Sequence, residues 1–275
     1  RMRFTEKHGT PSGQPLAPTS NRRSHKQILT AFLVFASCGG MFLARAQQTN
    51  ASSFPYPSKL DYHIEWRLIT AGGAHLDLSR VSGNTWETKL SLESAGLVTR
   101  LYRVDDKYRA LADNQFCAAT SSLDAQEGKR HRFTTLNFST ARRKVDYQEK
   151  DLVANKTTNK ELDIAPCTHE IAGALAALRM ARLEPGKSTT LPLTDGKKMA
   201  MVKVDAQERE QVSIGKTNYQ TIRYEAFVFD NVLYQRKARL WIWLTDDAAR
   251  VPVQIRIRLA FPIGNITLIL DKEEH

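Results

Sequence analysis

Cys117 and Cys167 are the residues best suited to covalent chemistry in this chain. The third cysteine, Cys38, lies in an apolar leader, so these two are the thiols that remain beyond it. In an oxidising compartment they could pair. Closing the loop between them would contribute roughly 3–4 kcal/mol in the chain-entropy treatment. The alternative is two buried free thiols, since two cysteines do not by themselves establish proximity. Thr168-His169-Glu170 resembles the start of a zinc-protease helix, but Gly173 stands where the second His is needed. His63, His75, His131 and His275 show no ligand spacing, so no metal and no cofactor is expected. Gly186-Lys187-Ser188-Thr189 ends like a phosphate-binding loop. Ala181 replaces the first glycine, however, and the order is helix before strand, so it reads as a helix-stop turn. No Gly-x-Ser-x-Gly elbow is present. Asp105-Asp106 and Asp246-Asp247 are read as turn carboxylates that cap backbone N–H groups, rather than as acid/base pairs. Trp241 and Trp243 share one face of a strand, with Ile242 and Leu244 on the other. Two apolar faces predict a central, packed strand. The other use of the two tryptophans would be the aromatic wall of a ligand groove, which makes them the candidate ligand-binding residues. No catalytic residue is assigned.

The segment that would place these residues in an oxidising compartment is 22–46. Arg22, Arg23 and Lys26 precede the apolar stretch Ile28–Phe35; apolar residues resume at Met41–Leu43, and Ala44-Arg45-Ala46 comes next. Positive, apolar and small, in that order, describe a signal peptide cleaved between Ala46 and Gln47. The apolar part is shorter than the roughly 20 residues of a membrane span. No transmembrane span is therefore expected after cleavage. Phe35-Ala36-Ser37-Cys38 offers a competing lipoprotein route through Cys38. Residues 1–21 read as a disordered or mis-called leader, and 47–58, with Pro55 and Pro57, as a flexible one.

Residues 1–46 hold seven of the 40 Lys and Arg and one of the 29 Asp and Glu, so the remainder carries a formal +5 instead of +11. That balance gives no reason to expect nucleic-acid binding. The local run Gly128-Lys129-Arg130-His131-Arg132, with Arg142-Arg143-Lys144 nearby, reads as a solvated hairpin face; an anionic lipid or glycan patch is the alternative.

From residue 59 onward, period-two alternation dominates. Leu60, Tyr62, Ile64, Trp66 and Leu68 alternate with polar residues, and short turns at Ala71-Gly72-Gly73 and Ser82-Gly83-Asn84 predict an antiparallel meander. Ser94–Arg103 has helical spacing over a short stretch, which predicts a short helix or turn. Strands are expected at Tyr108–Cys117, Leu123–Phe138 and Val145–Tyr147, and a polar loop over 150–163. One longer helix is predicted over about 168–182, with Thr168 as N-cap and Ile171, Ala174, Leu175, Leu178 and Ala181 as its apolar stripe. Arg179 and Arg182 sit near its end, and Pro185-Gly186 stops it. Further strands run to the end of the chain, with Lys198–Gln207 and Gln211–Ile214 read separately. Ten or more strands without βα alternation imply a single mainly-β domain over 59–271. It would be a curved antiparallel sheet, open barrel or sandwich.

Two stretches, Ala95-Gly-Leu-Val-Thr-Arg-Leu-Tyr-Arg-Val-Asp-Asp106 and Leu240-Trp-Ile-Trp-Leu-Thr-Asp-Asp-Ala-Ala-Arg-Val-Pro252, resemble the exported bacterial family catalogued as domain of unknown function 3108. The closing Pro262-Ile263-Gly264-Asn265-Ile266 and the Ala-rich helix Ile171–Arg179 before its Pro-Gly turn fit the same pattern. The resemblance covers most of residues 60–271. It implies a β-rich domain and an envelope location, periplasmic or outer, and supplies no activity, cofactor or catalytic residue. The expected function is binding of a hydrophobic or amphiphilic ligand such as a lipid, or of an envelope partner. An enzyme of unrecognised type and a purely structural protein are the alternatives.

Overall fold

The structure is a computed structural model that describes residues 59–260 and 262–274. The signal segment 22–46 with Cys38, Ala46 and Gln47, and the leaders 1–21 and 47–58, lie outside the described residues.

Alternating residues make strands here because one face of each is buried. β1 (Lys59–Trp66), β2 (Ile69–Ser82) and β3 (Thr85–Ser94) open the sheet. Leu60, Tyr62, Ala74 and Leu78 are buried while their neighbours stay wetter. A short helix α1 (Gly96–Leu101) leads to β4 (Val104–Ala112), β5 (Ala118–Glu127), β6 (Arg130–Ser139), β7 (Lys144–Asp151) and β8 (Lys156–Asp163). After α2 (Ile171–Ala181) come β9 (Ser188–Thr194), β10 (Met199–Ile214), β11 (Thr217–Ala226), β12 (Ala238–Thr245), β13 (Pro252–Leu259) and β14 (Asn265–Glu274).

All fourteen strands join one antiparallel sheet, in the order β8-β7-β6-β5-β4-β3-β2-β1-β14-β13-β12-β11-β10-β9. First and last strands pair, so the sheet's open edges are β8 and β9, which flank α2 in sequence. The edges curl toward each other. Lys197 Nζ in the β9–β10 turn lies 3.0 Å from Glu149 Oε2 on β7. A Cβ on Gly196 would strike Leu136 and Tyr147, and its φ of 83° is one that glycine adopts freely. The sheet is not closed. Residues 168–169 bridge part of the seam: Ala118 N donates to Thr168 O (3.0 Å), His169 N to Pro192 O (2.8 Å) and Thr194 N to His169 O (3.1 Å). The Cys117–Cys167 disulfide, across 50 residues of sequence, pins this segment beside the start of β5.

α2 packs into the curl. Ala174, Leu175 and Leu178 meet a cluster containing Val202, Ile222, Tyr224 and Leu244. Ala176, Ala177 and Met180 meet Leu78, Trp86 and Phe116. Burial on two sides explains the alanine-rich composition, since small residues let strands approach a helix from both directions.

Several expectations change. α2 begins at Ile171 and is capped by Glu170, because residues 168–169 are held in the seam instead of turning into helix. Ile171 is 54% exposed and leaves the apolar stripe. Arg179, placed by the sequence near the helix end, is buried and donates to Arg250 O (2.9 Å) and Ala249 O (3.0 Å). The short helix or turn read over Ser94–Arg103 is the helix α1, one of two helices among the described residues. Residues 150–163 form the β7–β8 hairpin, not a loop. β10 is one long strand with a bulge between Ala206 and Arg209. Asp247 caps Ala249 N and Arg250 N as a turn residue should, but Asp105 and Asp106 sit on β4.

Candidate functional site

Strands β4–β7 place three rows of side chains across the inner face of the sheet. Registered neighbours are Asp106, Ala125, Arg132 and Asp151 in one row and Tyr108, Leu123, Thr134 and Glu149 in the next. Ala110, Ser121, Leu136 and Tyr147 make the third. The start of α2, the β9–β10 turn and Tyr234 face much of this wall. Between them lies a cavity of about 230 Å³, with apolar walls at Leu123, Ala125 and Leu136 and polar groups at either end. That is just below the roughly 300–1,000 Å³ of typical ligand pockets.

One polar end is Glu170 and Tyr108. Glu170 is 2% exposed. Its carboxylate accepts from Ala172 N (2.7 Å), Gly173 N (2.5 Å) and the Tyr108 hydroxyl (2.5 Å). Burial pushes the Glu170 carboxyl above its usual range, and these hydrogen bonds only partly offset it. Burial, then the nearby Glu170, raises the Tyr108 phenol well above its ordinary value. A Cβ on Gly173 would collide with Glu170 Oε1, so this glycine gives the cap its room. The pair is fully engaged in holding the helix start.

The other end is cationic and anionic together. Glu149 accepts from Tyr147 (2.7 Å) and Lys197 (3.0 Å). Burial pushes its carboxyl up, but those bonds and the charges of Lys197 and Arg132 outweigh burial and hold it below its usual range. Arg132 donates through Nη2 to Glu127 (2.8 Å), and its Nη1 lies 3.8 Å from Glu149. Its Nε is buried and has no hydrogen-bond partner within the protein. A buried, unanswered N–H of a guanidinium costs free energy unless something else accepts from it.

The candidate tryptophans sit elsewhere. β12 lies between β11 and β13, as two apolar faces require. Trp243 is buried in a cluster with Leu60, Tyr62, Val253 and Leu270, and Trp241 packs against the same cluster. Arg256 stacks 5.2 Å over Trp243 and Arg239 4.5 Å over Trp241. Neither lines the cavity. The structure joins Cys117 to Cys167 beside the seam, and His169 between the disulfide and Glu170 donates from its ring to Phe116 O (2.7 Å). Of the two basic runs, Arg132 turns into the cavity, while Arg142 and Lys144 lie at the opposite end of their strands and pair with Asp146, Glu161 and Asp163. Sequence reasoning missed Tyr108, Arg132, Glu149 and Glu170 as neighbours. Only the alternation that put them on one face hinted at it.

No curated protein matches the chain. Among solved structures, a β-barrel-like protein of domain of unknown function DUF1849 from Brucella abortus is similar with a TM-score of 0.52 and 10% identity, covering 78% of this chain and 96% of that one. At that identity the likeness concerns the fold alone. A DUF1089-family protein from Pseudomonas aeruginosa covers 76% of this chain and 92% of that one at 10% identity, with a TM-score of 0.28. The chain matches the family described as protein of unknown function (DUF3108) over residues 61–271. That match spans β1 to β14 and the cavity they enclose, and the protein belongs to the DUF3108 family.

Proposed function

We propose that this chain is an exported, non-enzymatic cell-envelope protein whose curled sheet holds an amphiphilic ligand, such as a lipid, in the cavity between β4–β7 and α2. The single β-rich domain over 59–271 would follow a signal cleaved at Ala46–Gln47, and the periplasm or outer envelope would be its place of work. The signal pattern and a disulfide both favour an oxidising compartment. The observation that carries the ligand reading is Arg132, a half-buried guanidinium whose Nε has no protein partner, lining a cavity with apolar walls at Leu123, Ala125 and Leu136. A ligand with an acceptor head group, a carboxylate or phosphate, and a short apolar body answers both features. Glu170, which could suggest acid/base chemistry, is spent on the helix cap and Tyr108, and this speaks for binding over catalysis.

Isothermal titration calorimetry with octanoate, an acidic head group on a short apolar body, tests the reading. The parent should bind it with a measurable heat. Arg132→Met should weaken binding about tenfold or more through loss of a charged hydrogen bond, and Ala125→Trp should abolish it by filling the cavity. Equal binding by a folded Ala125→Trp variant would defeat the proposal.

A further inference from the structure

Every hairpin in an antiparallel sheet returns to the end it left, so alternate connections emerge together. The β1–β2, β3–β4, β5–β6, β7–β8 and β13–β14 connections share one end of this sheet with the β9–β10 and β11–β12 connections. They also touch in series. Trp66 Nε1 donates to Ile263 O (2.8 Å), Ala95 N to Ala71 O (2.7 Å), Gly128 N to Arg103 O (2.7 Å) and Leu152 N to His131 O (2.8 Å). A continuous rim results.

This rim is unusual in what it exposes. Leu68 at the β1–β2 turn is 93% exposed and has a φ of 68°, a left-handed conformation that a branched apolar residue seldom adopts. On and beside α1, Leu97 is 60% exposed and Leu101 70%. On the β7–β8 turn, Val153 is 68% exposed. Of the eleven exposed large hydrophobics among the described residues, seven lie on these three connections and their immediate flanks. Scattered exposed apolar residues need no explanation, but a contiguous set does. The charges agree. Segments 66–70, 95–103, 128–130, 152–156 and 260–264 carry Arg67, Arg100, Arg103, Lys129, Arg130 and Lys156, and no Asp or Glu. Arg103 meets a carboxylate only at Asp105 on β4 (3.4 Å).

The geometry points to this rim as a docking surface for an anionic lipid bilayer. Apolar tips would enter the headgroup–acyl boundary while the cations face lipid phosphates, the arrangement by which peripheral elements hold to membranes. Charge sign selects the occupant: this arc carries six cations and no acid, and the β9–β10 and β11–β12 connections at the same end add Lys197, Lys198, Arg236 and Lys237 against Asp195 and Asp230, so the end as a whole matches a negative surface. The surface is separate from the cavity and does not depend on a ligand there.

Vesicle co-sedimentation of the exported protein provides the test, with phosphatidylglycerol–phosphatidylcholine vesicles against phosphatidylcholine alone. The parent should favour the anionic vesicles, and salt should weaken the preference. Arg100→Gln with Lys129→Gln should lower the partition about 25-fold, from about fivefold per cation. Leu97→Ser with Leu101→Ser should lower it about tenfold or more. These residues are exposed, so unchanged melting verifies the fold. Arg143→Glu with Lys216→Glu, at the opposite end of the sheet, should bind as the parent does, and so should Ala125→Trp in the cavity. A parent that prefers neither vesicle, rim variants that bind like the parent, or an equal loss in the opposite-end variant would overturn the proposal.

Discussion

Glu170→Ala should be among the costliest single substitutions in and around α2, and its cost can be built from the structure. The side chain satisfies two of the helix's first N–H groups, Ala172 N and Gly173 N, and replacing such a cap costs about 0.5–2 kcal/mol. It also accepts the Tyr108 hydroxyl, whose proton would lose this acceptor and keep only Ser121 as a neighbour, at a further cost of up to about 1–3 kcal/mol. The expected loss is therefore about 1.5–5 kcal/mol, from a total that for most domains is roughly 5–15 kcal/mol. Thermal melting should fall by roughly 3–20 °C. Glu170→Gln should cost less but not nothing, because its amide oxygen can take the place of Oε2 and accept from Ala172 N and Tyr108, while its NH2 group then meets the Gly173 N–H that Oε1 serves in the parent. Thr168→Ala is the discriminating control. Its hydroxyl donates to Ala165 O (2.7 Å) and caps nothing in α2, so it should cost about 1 kcal/mol. Urea unfolding of the three variants measures this. A larger loss for Thr168→Ala than for Glu170→Ala would return the cap to Thr168 and refute the placement of the helix start.

The same network of contacts predicts three other outcomes. Cys117→Ser with Cys167→Ser should lose up to about 4 kcal/mol by loop entropy, and reductant should shift the parent's urea midpoint but not the variant's. Arg179→Ala should cost about 2–5 kcal/mol by stranding a buried and a part-buried carbonyl, comparable with Leu178→Ala at about 2–5 kcal/mol, both read by calorimetry. Burial lowers the His169 imidazole's affinity for protons, so the folded form titrates below the ordinary value of about 6.5. The unfolded chain then binds more protons as pH falls. Stability from this group is complete above that value and lost as pH drops through the folded value, and the acid-side loss should shrink in His169→Gln.

The fold is legible in sequence where one face is buried and hidden where packing is polar. Alternation at Leu60, Tyr62 and Leu90 marks β1 and β3 without help. β8 has no such mark, because it is an exposed edge strand. Cross-strand pairs hold it instead, Lys144–Asp163 at 3.0 Å and Gln148–Asn159 at 3.1 Å among them. The helix start is displaced by three residues from its expected place because Thr168 has cap chemistry, while the seam bonds that recruit it are non-local. The inward turn of Arg132 is non-local too. Its run, Lys129 to Arg132, looks uniformly solvated in sequence, yet strand alternation sends Arg132 to the concave face, while Lys129 in the turn and Arg130 at the first position of β6 stay on the rim. Tyr108 and Glu170 are 62 residues apart in sequence and meet only because the sheet curls.

Native mass spectrometry of the protein purified from its own envelope tests the central claim most directly. The parent should retain a bound species with an acidic head group and an apolar body, released on unfolding. Ala125→Trp and Arg132→Met, folded and purified identically, should carry little or none. A parent without any bound species, or variants that retain it at the parent's level, would contradict a ligand site in the cavity.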